Sequence, residues 1–176
     1  MSGVPAPAVS REEAKAYLRL DGTAEDALID GLIASATGLC EAFTGQLLIA
    51  RAVEDIVPGG TAWRRLSCTP VRTIDGVVAL AVDGTGEPLP EGGFATDIDA
   101  NGDGWVRAAQ AGAATRLRVS YEAGLASEAA GVPEALKQGI VRLVAHLHAH
   151  RDAAGDAGPP AAVAALWRPW RRMRLA

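Results

Sequence analysis

Apolar residues between Asp26 and Gly45 recur at helical spacing, and this long stripe constrains the fold more than any other feature. The stripe consists of Leu28, Ile29, Leu32, Ile33, Ala36, Leu39, Cys40 and Phe43. A helix with such a stripe must bury it against other elements. Thr23 is predicted as its N-cap, and Gly45 stands where a C-cap glycine is favoured. A shorter helix is predicted before it, opening at the capping-box pair Ser10 and Glu13.

After Gln46 the apolar period changes to that of β-strands. Short apolar runs alternate with turn residues, and Leu117, Val119 and Tyr121 alternate with polar neighbours. Pro133 then suits the first turn of another amphipathic helix. This order favours an α+β fold. The predicted fold class is helical, comprising an N-terminal helix pair at 10–45, a small antiparallel β region at 46–125, a long C-terminal helix at 133–151 and an extended C-terminal tail.

The length of 176 residues predicts one domain, because a domain takes ~150 residues. We divide it into a body at 1–158 and a tail at 159–176, and deletion of that tail is expected to leave the body folded. The formal net charge of −4 argues against a generally basic nucleic-acid coat. Cys40 and Cys68 form no metal or redox motif, and no signal peptide or membrane span is predicted. We expect a soluble intracellular protein.

Two clusters are candidates for metal binding. Asp97, Asp99, Asn101 and Asp103 alternate as the first ligands of an EF-hand loop do, but Ala108 stands where such a loop needs glutamate. Because Asn-Gly favours a tight hairpin turn, we favour a plain turn over a weak surface cation site.

The second cluster is formed by His146, His148 and His150. His146 and His150 share a helix face and could hold zinc, but no third ligand follows at helical spacing. We favour a structural or interface role for them. The sequence predicts no catalytic residue and no cofactor.

The C-terminal tail is the most informative segment. From Ala157 onward it carries four arginines and no acidic residue, together with Trp167 and Trp170. Trp and Arg are enriched at binding hot spots, so docking to a protein partner is favoured. Two alternatives remain: contact with nucleic-acid phosphates through stacking aromatics, and folding back onto the chain's own body. Pro169 argues against a membrane-surface helix.

Several segments resemble a known family when read in chain order. They are SREEAKAYLR at 10–19, the helix 26–45 ending in EAFTG, TPV at 69–71, VSYEAG at 119–124, VP at 132–133, and PP at 159–160 leading to LWRPWRRMRL at 166–175. Together they resemble the head–tail connector, or adaptor, proteins of long-tailed bacteriophages and gene transfer agents. The segment 83–104 matches no feature of that family.

The resemblance implies a structural protein rather than an enzyme. Such proteins form a ring, usually dodecameric, beneath the portal protein, extend the DNA channel and offer a platform to a stopper or head-completion protein. DNA would pass through without sequence-specific binding, in a virion or phage-like particle assembled in the bacterial cytoplasm. The resemblance also implies which residues bind the portal: Trp167, Arg168, Pro169, Trp170, Arg171, Arg172, Met173, Arg174 and Leu175. The alternatives are a small metal-dependent hydrolase and a monomeric interaction module.

Overall fold

The chain was analysed as a computed structural model, which describes residues 7–110, 115–150 and 159–172. Within these ranges lie four α-helices and seven β-strands. The helices are α1 (Arg11–Leu18), α2 (Asp26–Thr44), α3 (Glu134–Ala149) and α4 (Ala161–Trp167). The strands are β1 (Arg51–Pro58), β2 (Arg64–Arg65), β3 (Val71–Leu80), β4 (Gly86–Pro88), β5 (Phe94–Ile98), β6 (Gly104–Ala108) and β7 (Arg116–Ala123). Two short 3-10 turns cover Ala129–Gly131 and Arg168–Trp170.

The described residues form two compact units, each with its own core. The β unit spans Ala50–Leu125, and the helical unit is formed by the described parts of Pro5–Ile49 and Ala126–Ala176. The helices that flank the β region in sequence therefore belong together in space.

Two antiparallel sheets make up the β unit. One has the strand order β1-β7-β3-β4 and the other the order β2-β6-β5. The predicted alternation along β7 is confirmed, because Leu117, Val119, Tyr121 and Ala123 are buried and the residues between them are not. Because β7 pairs with strands on both sides, its buried residues lie at the centre of that sheet.

In the helical unit, α2 buries the stripe Ile29, Ile33, Ala36, Cys40 and Thr44. The capping box of Ser10 and Glu13 opens α1 as predicted, and Gly45 ends α2 in the left-handed conformation with φ of 70°. The N-cap of α2 is Glu25, so the prediction of Thr23 in that role is wrong.

The helix α2 is, by length and composition, the one described helix that could cross a membrane, with a mean hydropathy of 1.3. Its buried stripe packs within the helical unit, against α3 and α1. Arg11 and Lys15 of α1 bind its first-turn carboxylate, Asp26, at 3.0 and 2.7 Å. The hydrogen bond from Lys15 lowers the pKa of that carboxyl. These contacts are those of a core helix with one charged end.

The predicted fold class is wrong in its proportions and at the C-terminus. Strands account for about 28% of the described residues against about 36% for helices, so the β region is a full unit with two sheets. The helix predicted at 133–151 lies at Glu134–Ala149 but is not the last element. The tail is not extended, because Val163 and Trp167 give it an apolar face that the helical unit buries.

Candidate functional site

The last helix, α4, is anchored in the helical unit by a tryptophan. Its N-cap is Pro160, after which alanines favour a helix up to Trp167. The Trp167 side chain is fully buried, and its indole Nε1–H donates a hydrogen bond of 3.3 Å to the Leu136 carbonyl oxygen of α3. The ring of Phe43, on α2, lies 5.8 Å from it between centroids. Trp167 thus joins α4 to both neighbouring helices.

A glycine in the middle of α3 makes room for this indole. A Cβ atom added to Gly139 would lie 2.7 Å from Cδ1 and Cε2 of Trp167 and closer still to Nε1. Real Cβ atoms essentially never approach other heavy atoms below 3.0 Å. Gly139 and the indole therefore fit together only because the glycine carries no side chain.

The chain after Trp167 is fixed on the C-terminal end of α2. The Gln46 side-chain amide donates a 2.6 Å hydrogen bond to the Trp170 carbonyl oxygen, and the Arg172 N–H donates a 2.9 Å bond to the Thr44 carbonyl oxygen. The Arg171 guanidinium lies 5.5 Å from the centroid of the Phe43 ring. Cations are favoured beside the free carbonyls of a helix C-terminus. We call residues Arg168, Pro169, Trp170, Arg171 and Arg172 the basic rim.

The basic rim presents charge to the outside. Arg168, Pro169 and Arg171 are exposed, and Trp170 is half-buried. Neither Arg168 nor Arg171 makes an ion pair with another described residue. Two exposed guanidinium groups, of which that of Arg171 lies beside the Phe43 ring, suit a carboxylate-bearing partner surface.

The structure places the sequence-predicted tail residues in two different environments. Trp167 folds back into the helical unit, one of the three alternatives considered for the tail. The basic rim lies at the surface. Met173, Arg174 and Leu175 lie outside the described residues.

The aspartates of the hairpin between β5 and β6 bind protein groups. The Asp99 carboxylate accepts hydrogen bonds from the backbone N–H groups of Asn101 and Asp103 at 2.8 and 3.0 Å, and from Trp105 Nε1 at 3.2 Å. Asp103 pairs with Arg65 at 2.8 Å. The loop is thus a hairpin turn built on Asp99, and no group of three or more metal-binding side chains occurs among the described residues.

The three histidines make two different sets of contacts. The rings of His146 and His150 stack with centroids 4.4 Å apart, and His150 Nδ1 lies 2.9 Å from the His146 carbonyl oxygen. His148 Nε2 lies 3.1 Å from a carboxylate oxygen of Glu25, just before α2. His146 and His150 thus contact each other within the last turn of α3, and His148 joins α3 to the start of α2.

A polar cluster in the β unit was not predicted. The Tyr121 hydroxyl donates to Asp55 at 2.9 Å and accepts from the Cys68 N–H at 3.1 Å. Asp55 also accepts from the Ser67 N–H and hydroxyl at 2.6 and 2.7 Å. Burial raises the pKa of Tyr121. The cluster fastens the loop after β2 to β1 and β7.

Comparison with known proteins shows which solved structures share this fold. No protein-family profile matches the chain, and no curated protein matches it. Among solved structures, a chain from the neck of an empty GTA particle computed with C6 symmetry matches with a TM-score of 0.77 and 22% identity, over 100% of this chain and 97% of that one. A chain from the virion of a native gene transfer agent (GTA) particle matches with a TM-score of 0.76 and 24% identity, over 99% and 94%.

The protein has the fold of a gene transfer agent neck chain. A third chain, from the neck of a native GTA particle computed with C12 symmetry, matches with a TM-score of 0.66 and 20% identity over 100% of this chain and 97% of that one. The resemblance to connector proteins of gene transfer agents, inferred from the sequence, is therefore confirmed at the level of the fold. Since the matches span both units, this shared fold includes the helical unit that carries the basic rim.

Proposed function

We propose that this protein is a structural component of the neck of a phage-like particle of the gene transfer agent type. The observation that carries the proposal is the match to a neck chain over 100% of this protein and 97% of that chain. A fold alone does not determine function, so the proposal depends on the particle component in which this same fold is found over its whole length. The role is structural and not enzymatic, and the protein is located in the particle.

Within the neck, the protein forms a homo-oligomeric ring. Neck structures with this fold were computed with C6 and with C12 symmetry, and a ring of twelve copies is compatible with both. Cyclic rings use heterologous contacts between two different faces of each copy. The ring lies beneath the portal protein, extends the channel for DNA without reading its sequence, and carries a stopper or head-completion protein on its other side.

The basic rim is the surface that contacts the portal protein. Its support is physical: Arg168 and Arg171 are exposed, while the backbone around them is held by hydrogen bonds to Gln46 and Thr44. A segment that is ordered before binding loses less conformational entropy when it docks. The partner surface should carry carboxylates to complement the guanidinium groups.

Co-sedimentation with the cognate portal assembly tests this proposal. The variant Arg168→Glu/Arg171→Glu reverses the exposed charge and leaves Trp167 in place, and we expect it to bind about tenfold more weakly or worse, ~1.4 kcal/mol. Arg142→Glu, at an exposed position on α3, is the matched control and should bind like the wild type. Equal binding by the double variant would show that the rim is not the contact surface.

The ring is tested separately by electron microscopy and sedimentation velocity of the protein with and without the portal. A closed ring of identical copies is expected on the portal. If separate, non-contacting copies were seen on a portal whose binding sites are all occupied, the ring would be contradicted.

A further inference from the structure

We infer that Gly139 and Trp167 form an intramolecular latch that holds the basic rim in position for docking. Trp167 is then a positioning residue and not a contact residue for the portal. The latch itself concerns only the free protein, whereas its role in docking rests on the proposed function.

The geometry of the indole supports the first step. Trp167 is fully buried, its Nε1–H bonds to Leu136, and its five-membered ring fills the space above Gly139. An indole in this position cannot enter a pocket of a partner at the same time. Gly139 by itself destabilises α3, because glycine in a helix interior is less favourable than alanine. The space it leaves is occupied by Trp167.

The second step is the connection between the latch and the rim. Arg168 follows Trp167 directly, and the turn Arg168–Trp170 continues from α4 without a break. Two hydrogen bonds then fix the rim on the end of α2, from the Gln46 side chain to the Trp170 carbonyl oxygen and from the Arg172 N–H to the Thr44 carbonyl oxygen. If the indole leaves its slot, the rim loses its anchor on the N-terminal side. Docking would then have to order the rim again, which weakens binding.

The substitution Gly139→Ala tests the latch in the free protein. We expect it to lower Tm by about 5 °C or more, since the added Cβ displaces the indole. Gly38→Ala is the matched control, because Gly38 is also helical and a Cβ there meets no atom within 4 Å. That control should keep or raise Tm, because alanine favours helices. Equal effects of the two substitutions would overturn the latch.

A double-mutant cycle with Trp167→Leu shows whether the indole is the cause. Without the indole, Gly139→Ala should no longer lower Tm, so the two effects should be strongly non-additive. Additive effects would overturn the latch. As a second measurement on Gly139→Ala, exchange of the Arg172 amide hydrogen, which bonds to Thr44, should become about tenfold faster or more. Unchanged protection of that amide would overturn the connection between latch and rim.

Portal binding completes the test. Gly139→Ala should bind the portal assembly about tenfold more weakly, although every rim side chain is present, and Gly38→Ala should bind normally. If Gly139→Ala binds the portal normally although its Arg172 amide exchanges faster, the positioning role of Trp167 is overturned. Failure of the wild type to bind would instead overturn the portal contact proposed above, while the latch would still be decided by the free-protein measurements.

Discussion

Single side chains in the β unit fix the position of an irregular loop. Tyr121 extends its hydroxyl from the buried face of β7 to the Cys68 N–H and to Asp55. A buried donor or acceptor that loses its partner costs the full desolvation of that group. The hydroxyl therefore holds the loop through hydrogen bonds that the ring alone does not provide.

The substitution Tyr121→Phe isolates this hydroxyl. It should lower the free energy of unfolding by ~1–2 kcal/mol, because the Cys68 N–H loses its acceptor and Asp55 loses a donor. Urea unfolding followed by circular dichroism measures the change. Tyr17→Phe, at a side chain that is 50% exposed, is the control and should be close to neutral. An equal, small effect of both would show that the loop does not depend on Tyr121.

At the scale of elements, the sequence predicted the features that depend on residues close together in the chain and missed those that depend on distant residues. The alternation along β7 and the caps at Ser10 and Gly45 follow from neighbouring residues, and the structure confirms them. The burial of α4 depends on Leu136, 31 residues before Trp167 in sequence, and on Gly139. The one signal in the sequence was a glycine that interrupts the apolar stripe of α3. A glycine inside a helix often marks the place where another side chain packs closely against the backbone.

The start of α1 gives a pH-dependent prediction. The hydrogen bond from the Ser10 backbone N–H lowers the pKa of Glu13 below its ordinary value of 4.5, and Lys137 lies 3.8 Å away. Because the folded pKa is the lower one, this stabilisation is fully present above pH 4.5 and is lost as the pH falls through the folded value.

We therefore expect Glu13→Gln to be less stable than the wild type at pH 7, by about 0.5 kcal/mol as for other exposed caps. The difference should narrow as the pH falls below 4.5. Glu12→Gln changes the charge of the same first turn without removing the capping box, and urea unfolding across pH compares the two. A difference that stays constant with pH would contradict the role of the carboxylate.

At the scale of the whole molecule, the C-terminal segment belongs to the fold and also carries the surface proposed for docking. Val163 and Trp167 are part of the core of the helical unit, and the basic rim begins at the next residue. The earlier expectation, that removal of 159–176 leaves the body folded, therefore needs revision. A truncation would confuse loss of contact with loss of stability.

A chain that ends at Gly158 should lose ~3–5 kcal/mol of stability, the usual cost of removing a buried tryptophan. That is a large share of a typical total of 5–15 kcal/mol, so part of the protein should unfold at moderate temperature. The matched control ends at Arg172 and keeps every described residue of the last segment, and it should unfold like the full chain. Thermal and urea unfolding measure both. If the chain ending at Gly158 were as stable as the full protein, Trp167 would not belong to the core, and the simple deletion would be a clean test of docking.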